Sequence, residues 1–169
     1  MKNKSFKKMA ILGAITTLVS MESFATRFSC PNAALGLGNT CPVVGTSGDI
    51  NIIALSSNTP ITSNQFGDGI TADASFGNID INGSTAINAS RYGISSKVYA
   101  GNPSMNYTNY IHGNFGDINA STGIYQENFG LGTIKIDGNF NNINGNSGNG
   151  IEILSGGAGN IGGSDVEID

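Results

Sequence analysis

Short segments in which isoleucine or valine alternates with a polar residue recur along the chain. The clearest are residues 49–53 (DINII), 78–83 (NIDING), 133–138 (TIKIDG), 150–154 (GIEIL) and 165–169 (DVEID). Apolar residues two positions apart point to one face of a strand, and the polar residues between them point to the other face. The pattern therefore predicts many short strands with one buried face, and it indicates no helix after residue 25.

Two dipeptides recur with these segments. Phe-Gly begins at Phe66, Phe76, Phe115 and Phe129, and Gly-Ile begins at Gly69, Gly93, Gly123 and Gly150, with Gly-Ile separations of 24, 30 and 27 residues. Periods of about 20–50 residues are typical of stacked repeats. Three strand-and-turn steps in a turn of about 25 residues predict a three-faced parallel β-helix over residues 49–169. The alternative is an antiparallel β-sandwich, for which Asn82-Gly83 and Asp137-Gly138 are hairpin signals.

The N-terminal residues have the order of a secretory signal peptide. Residues 1–8 contain four lysines and no acid, and Ser23 and Ala25 place small side chains at −3 and −1 before Thr26. Residues 9–21 form an uncharged run of thirteen residues, short for a membrane span of about 20. We predict that residues 1–25 are removed, that the protein is exported through the inner membrane, and that no transmembrane span remains.

Cys30 and Cys41 are the two cysteines of the chain. An exported protein meets an oxidising compartment, so a disulfide is favoured. The spacing is not that of a C-x-x-C redox motif, and no histidine lies nearby to complete a zinc site. Residues 26–48 are irregular, and we predict that they form a disulfide-pinned N-terminal cap, because solenoid ends need covering.

The charge balance excludes one class of partner. After removal of residues 1–25, four basic and eleven acidic residues remain, for a net charge of −7. An acidic surface repels phosphate backbones, so we expect no nucleic-acid partner.

The repeats, the N-terminal segment and residues 148–154 (GNGIEIL) resemble the N-terminal passenger region of bacterial autotransporter adhesins. They are also similar to the related haemagglutinin-like β-helix exoproteins. The resemblance spans residues 26–169 and rests on composition and repeat style. It implies an all-β, right-handed parallel β-helix displayed outside the cell, usually for adhesion. It also implies a C-terminal translocator, which is missing from this sequence, so we expect the chain to be an incomplete fragment.

Tyrosines cluster in the middle third of the chain. Tyrosine is enriched at recognition surfaces, because its ring buries a large area and its hydroxyl forms hydrogen bonds. We take Tyr92, Tyr99, Tyr107 and Tyr110 as a candidate recognition surface. Residues 91–112 lack clean alternation, which is compatible with a loop extending from the solenoid, and loops carry function on rigid scaffolds. The alternative is that the tyrosines are half-packed on strand faces.

Two segments match the extended D-x-N-x-S acceptor form of some bacterial N-glycosylation systems. They are residues 80–84 (DINGS) and 117–121 (DINAS), which make Asn82 and Asn119 candidate glycosylation sites. The alternative is that both segments only repeat the Asp-Ile-Asn chemistry of the coils.

The sequence offers little catalytic or metal-binding chemistry. Residues 156–161 (GGAGNI) have the glycines of a calcium-binding repeat, but Ile161 stands where aspartate is needed. His112 is the single histidine, and the chain contains no G-x-S-x-G element. We predict no catalytic residue, no metal and no cofactor. A carbohydrate-cleaving enzyme remains an alternative, because such enzymes use two carboxylates. The candidate pairs are Asp68 with Asp73 and Asp117 with Glu127.

These observations favour an exported cell-surface or secreted β-helix that acts in adhesion or structural display without catalysis. Its location is then the cell surface, the outer membrane or the extracellular space. Its partners would be a host-cell or matrix surface or neighbouring bacterial cells. Two alternatives remain: a β-helix polysaccharide lyase or glycosidase, and a filament-forming structural subunit.

Overall fold

The computed structural model describes residues 26–30, 41, 43–54, 59–99, 105–156 and 165–169. All regular secondary structure in these residues is β-strand. The strands are β1 (Thr26–Cys30), β2 (Val43–Thr46), β3 (Ile50–Ala54), β4 (Ile61–Thr62), β5 (Ile70–Ala74), β6 (Ile79–Gly83), β7 (Ile87–Asn88), β8 (Tyr92–Val98), β9 (Asn106–Phe115), β10 (Ile118–Ala120), β11 (Thr122–Asn128), β12 (Leu131–Phe140), β13 (Ile143–Gly145), β14 (Ile151–Ser155) and β15 (Asp165–Ile168).

The strands form three parallel sheets that the chain visits in turn. Sheet A has the order β1-β3-β6-β9-β12-β15, sheet B β4-β7-β10-β13, and sheet C β2-β5-β8-β11-β14. Successive strands of one sheet belong to successive coils: Ile50 pairs with Ile79, and Ile79 with Asn109. The protein is therefore a right-handed parallel β-helix of about four turns, and the prediction of this fold is confirmed.

Isoleucine side chains form continuous columns inside the helix. A column in sheet A contains Ile52, Ile81, Ile111 and Ile136, each at most 1% exposed. The column in sheet C contains the isoleucines of the four Gly-Ile dipeptides, Ile70, Ile94, Ile124 and Ile151. Strands β3 and β6 bury alternate residues, and burial of the branched side chains is the main favourable contribution to folding.

The antiparallel sandwich is ruled out, because every pairing between the described strands is parallel. The two dipeptides taken as hairpin signals lie inside strands instead. Asn82 and Gly83 end β6, and Asp137 and Gly138 lie within β12. Gly138 has φ +129° and stacks on Gly113 with φ +125°. Such angles favour glycine, and a Cβ on Gly138 would lie 2.2 Å from the carbonyl oxygen of Gly113.

Residues 91–112 contain strands rather than an extended loop. They include β8 and most of β9, while residues 100–104 lie outside the described part. The alternation is weak in this region because polar side chains occupy inward positions. Ser96 and Asn109 are both fully buried, and they hydrogen-bond to each other across the core.

The parallel pairing extends into residues 26–48, where the sequence favoured a separate cap. Strand β1 pairs with β3 over its full length, and β2 pairs with β5. The solenoid ladder therefore begins before Asp49. The predicted signal segment and residues 31–40 lie outside the described residues.

Candidate functional site

The predicted disulfide is present. Cys30 at the end of β1 is bonded to Cys41, with the two Cα atoms 5.1 Å apart, and both residues are fully buried. Cys30 stacks on Ala54 of the next coil, so the bond ties the first strand of sheet A to the chain that leads into sheet C.

The candidate tyrosines do not form one cluster. Tyr92 begins β8 in sheet C and Tyr99 directly follows this strand, whereas Tyr107 and Tyr110 lie on β9 in sheet A. Tyr107 packs against the hydrophobic core. Tyr99 is the most exposed of the four, with 46% of its surface accessible. The structure therefore divides the predicted surface between two faces of the helix.

Sheet C carries the denser group of aromatic and basic side chains. We call Arg91, Tyr92, Lys97, Tyr99, Tyr125 and Phe129 the sheet C patch. Tyr92 and Tyr125 stack with their ring centroids 4.8 Å apart, and Tyr99 and Phe129 stack at 6.0 Å. The Arg91 guanidinium lies 5.0 Å from the centre of the Tyr92 ring, and Lys97 Nζ lies 5.4 Å from that of Tyr125. Such cation–π contacts hold the long basic side chains against the rings.

A buried carboxylate fixes one end of this patch. Arg91 donates from Nε and Nη2 to the two Asp68 carboxylate oxygens, both at 2.8 Å. Asp68 is fully buried, and it also accepts from Thr71 Oγ1 at 2.9 Å and from the Tyr92 backbone N–H at 3.3 Å. The paired geometry raises the pKa of Arg91, first through the hydrogen bond to Asp68. A bidentate pair of this kind restricts the guanidinium to one orientation.

Charged residues alternate on the outward face of sheet C. Lys97 is the register partner of Asp73 in the preceding coil and of Glu127 in the following coil. Burial raises the pKa of the Asp73 carboxyl, although nearby Lys97 acts in the opposite direction. Asp73 Oδ1 is buried and accepts no hydrogen bond from the residues that the structure describes. Burial and a hydrogen bond to Glu127 at 2.9 Å together hold the pKa of Tyr125 well above its usual value.

These positions change the expected carboxylate pairs. Asp68 forms an ion pair with Arg91. Asp117 and Glu127 lie on different faces, because Asp117 precedes β10 of sheet B and Glu127 lies in sheet C. Of the four candidate carboxylates, Asp73 and Glu127 share a column instead, with Lys97 between them.

A second polar network lies on the outward face of sheet A. The rings of Tyr110 and His112 stack at 4.3 Å. His112 Nε2 is 2.8 Å from Asp80 Oδ1 in the preceding coil, and the Tyr110 hydroxyl donates to Asp137 Oδ2 in the following coil at 3.0 Å. That hydrogen bond raises the pKa of Tyr110. His112 thus joins neighbouring coils through its contact with Asp80.

The two candidate glycosylation sites have different surroundings. Asn82 is exposed on sheet A. Asn119 lies in an amide ladder on sheet B, where its Nδ2 donates to Asn88 at 3.0 Å and its Oδ1 accepts from Asn144 at 2.8 Å. A glycan on Asn119 Nδ2 would compete with this ladder, whereas Asn82 carries no such contact. Modification of either residue stays a prediction.

Among the described residues, no group of three or more histidine, cysteine or acidic side chains could hold a metal ion. No helix in that part of the chain is long and apolar enough to cross a membrane. The glycine-rich segment around Gly156 continues into residues that lie outside the description.

Some residues of the sheet C patch were not identified from the sequence. Arg91 and Lys97 carry no motif, Phe129 was noted only as part of a Phe-Gly dipeptide, and Tyr125 is brought beside Tyr92 only by the coil register. The offset of 30 residues between Gly93-Ile94 and Gly123-Ile124 contains that register, so aligning the Gly-Ile copies would have placed these residues together.

Comparison with protein-family models, curated proteins and solved structures found no match to the chain. The fold defines the class of the protein, a parallel β-solenoid.

Proposed function

We propose that this protein is exported and presents its solenoid at the cell surface or outside the cell for adhesion or structural display, without catalysis. The observation that carries the proposal is the sheet C patch. Its aromatic rings and basic groups are held in fixed positions on a rigid, disulfide-pinned scaffold. Pre-ordered tyrosine and arginine side chains lose little conformational entropy on binding, so they make effective contacts at interfaces.

Export is supported by two independent features. The disulfide between Cys30 and Cys41 is typical of proteins that fold in an oxidising compartment. The lysine-rich start and uncharged run of residues 1–21 have the order of a secretory signal. The targets that fit an adhesin are a host-cell or matrix surface and neighbouring bacterial cells.

Binding of the purified exported protein to these three surfaces tests the proposal. Tyr99→Ala removes an exposed ring of the sheet C patch, and we expect it to weaken binding about tenfold or more, as for an interface hot spot. Tyr110→Ala, on sheet A, is the matched control and should bind like the native protein. Thermal unfolding of both variants checks that the fold is retained.

Equal losses in the two variants would argue against the sheet C patch as the binding surface. Absence of binding to all three surfaces would argue against adhesion. Retention of the native protein in the cytoplasm would argue against export.

A carbohydrate-cleaving activity is the second candidate, and one observation favours it. Asp73, with its raised pKa, lies two coils from Glu127 on one face, which separates their Cα atoms by about 10 Å. Inverting glycosidases hold the carboxyl groups of their acid and base about 6.5–9.5 Å apart, a distance that side chains two coils apart on one face can reach. Release of reducing sugar from a polysaccharide panel, abolished by Asp73→Asn and by Glu127→Gln, would favour this candidate over display.

A further inference from the structure

Three Asn-Gly dipeptides lie in the described part of the chain. They begin at Asn82, Asn144 and Asn149, and all three asparagines are exposed. In this dipeptide the glycine nitrogen can attack the carbonyl carbon of the asparagine side chain, because glycine has no side chain to obstruct the approach. Exposure gives the three sites the same opportunity to react, so their backbone structure has to distinguish them.

Two of the three dipeptides are held in paired strands. Asn82-Gly83 ends β6, which pairs with β3 and with β9. Asn144-Gly145 ends β13, which pairs with β10, and Asn144 Nδ2 donates to Asn119 Oδ1 at 2.8 Å. The attack requires rotation of the peptide unit between the two residues, and the backbone bonds of a sheet resist this rotation until the strand opens locally. These two asparagines are therefore protected while the protein is folded.

Asn149-Gly150 lies outside the strands, in the segment that connects β13 to β14. The peptide unit between the two residues keeps one backbone bond, from the Gly123 N–H to the Asn149 carbonyl oxygen at 3.0 Å, while the Gly150 N–H donates to no backbone carbonyl of a described residue. Asn149 Nδ2 donates to Glu152 Oε2 at 3.4 Å. This long bond directs the asparagine amide towards the residues that follow it, and the first of these is Gly150.

We propose that Asn149 is a site of spontaneous deamidation. The Gly150 nitrogen bonds to the side-chain carbonyl carbon of Asn149, the bond from this carbon to Nδ2 breaks, and the proton of the Gly150 nitrogen leaves with Nδ2 as ammonia. Water then opens the cyclic imide. Addition of water at the side-chain carbonyl gives aspartate, and addition at the main-chain carbonyl gives isoaspartate, in which the chain continues through the side chain. The inference does not depend on the proposed function.

Either product would loosen the attachment of β14 to β11. A carboxylate in place of the Asn149 amide would face Glu152, so repulsion would replace a hydrogen bond. Isoaspartate also lengthens the main chain at the position where the Gly123 N–H donates to the Asn149 carbonyl oxygen. Space is limited there, because a Cβ on Gly145 would already clash with that oxygen. Conversion would therefore weaken the bond from Gly123 and release the start of β14.

Peptide mapping by mass spectrometry tests the proposal, with fragmentation that separates aspartate from isoaspartate. The purified full chain is incubated in mildly alkaline buffer, folded in one sample and in concentrated urea with the disulfide reduced in the other. In the folded protein Asn149 should convert at least about tenfold faster than Asn82 or Asn144, because a strand that is open less than about one-tenth of the time slows ring closure by this factor. In urea the three sites should convert at similar rates, since glycine follows each of them.

Two matched substitutions check the route. Asn149→Gln keeps the amide but lengthens the side chain, which disfavours ring closure, so conversion at this position should be lost. Asn144→Gln changes the other Asn-Gly dipeptide of the same coil and should leave the conversion of Asn149 unchanged. Hydrogen exchange measures the consequence: the Gly123 N–H should exchange faster after conversion, whereas the Ile61 N–H, which donates to the Ala86 carbonyl oxygen at 2.9 Å in a distant coil, should not change.

Preferential conversion of Asn149 in the folded protein, lost in urea, would support the proposal. Equal rates at the three sites in the folded protein would overturn it, as would an intact Asn149 after the urea sample has converted. A preference for Asn149 that persists in urea would assign it to the local sequence and overturn the structural argument. An unchanged exchange rate of the Gly123 N–H in the converted protein would overturn the loosening of β14.

Discussion

Asn109 interrupts a column of isoleucines, and its replacement by isoleucine should destabilise the protein. In sheet A the register partners of Asn109 are Ile79 in the preceding coil and Ile134 in the following coil. All three residues are at most 1% exposed. Column matching alone therefore suggests that Asn109→Ile would add apolar burial and stabilise the core by about 2 kcal/mol.

The hydrogen bonds of Asn109 argue for the opposite result. Its Nδ2 donates to the backbone carbonyls of Ser96 at 3.0 Å and Glu127 at 3.2 Å. Its Oδ1 accepts from the Ser96 hydroxyl and from Gln126 Nε2. Isoleucine would leave the Ser96 hydroxyl without this acceptor, and each buried polar group that loses its partner costs about 1–3 kcal/mol. The Ser96 hydroxyl would lose its acceptor, and the Ser96 and Glu127 carbonyls would lose a donor. Together these losses exceed the apolar gain, so we expect a net destabilisation of about 1–3 kcal/mol.

A triple variant provides the matched control. Ser96 and Gln126 occupy a column of sheet C with Ala72 and Ile153. Asn109→Ile, Ser96→Ala and Gln126→Ile together replace the polar groups by residues that fit their columns. This variant removes both partners of the side-chain bonds that Asn109 makes with Ser96 and Gln126, so it should be more stable than the Asn109→Ile protein. Urea unfolding monitored by circular dichroism measures all three proteins. An Asn109→Ile protein as stable as the native one would refute the reasoning.

Three further predictions concern other parts of the structure. Cys30→Ser with Cys41→Ser should lower the free energy of unfolding by about 3 kcal/mol, the loop-closure value for a bond of sequence separation 11; an unchanged urea midpoint would contradict this. Ile111→Ala should cost about 2–5 kcal/mol in the same assay, because the residue is fully buried between two isoleucines; a cost below about 1 kcal/mol would mean that the column is not packed. Burial raises the pKa of Asp73, so the folded state retains a proton that the unfolded chain has lost, and stability falls as pH rises above about 4 through the raised folded-state value. Asp73→Asn should therefore be more stable than the native protein at pH 7, and the difference should disappear below about pH 4; a difference independent of pH would exclude ionisation as its cause.

The repeat pattern predicted the solenoid because the same chemistry returns at the same place in each coil. The four Gly-Ile dipeptides contribute Ile70, Ile94, Ile124 and Ile151 to one column of sheet C. The glycines are required there because the next coil approaches closely. A Cβ on Gly93 would lie 2.5 Å from the carbonyl oxygen of Gly123. The Gly-Ile dipeptide therefore recurs once per coil because each coil needs a small residue and an inward isoleucine at this position.

The Phe-Gly pattern was less informative because similar segments occupy different corners. Residues 76–79 (FGNI) lead into β6 of sheet A, whereas residues 115–118 (FGDI) and 140–143 (FNNI) lead into sheet B. Only the last two are equivalent, and their phenylalanine rings stack at 5.4 Å. Phe76, in the first segment, is instead 44% exposed. Short motifs do not distinguish one corner of the helix from another.

The candidate site could be predicted only in part, because its contacts join residues of different coils. Tyr92 and Tyr99 were chosen for their residue type, but their stacking partners Tyr125 and Phe129 come from the next coil. The buried polar residues of β8, β9 and β11 were not predicted, since each looks unfavourable in a core until its partners are known. A single sequence does not contain those pairings.

The central claim is that successive coils stack in parallel register, and methyl NOEs between isoleucines test it most directly. The δ1-methyl groups are labelled selectively and assigned by substituting Ile52, Ile81, Ile111 and Ile136 one at a time with valine. The structure predicts cross-peaks from Ile52 to Ile81, from Ile81 to Ile111 and from Ile111 to Ile136, and none from Ile52 to Ile136, which are three coils and about 14 Å apart. Absence of the Ile81–Ile111 cross-peak, or a direct contact between Ile52 and Ile136, would contradict the solenoid.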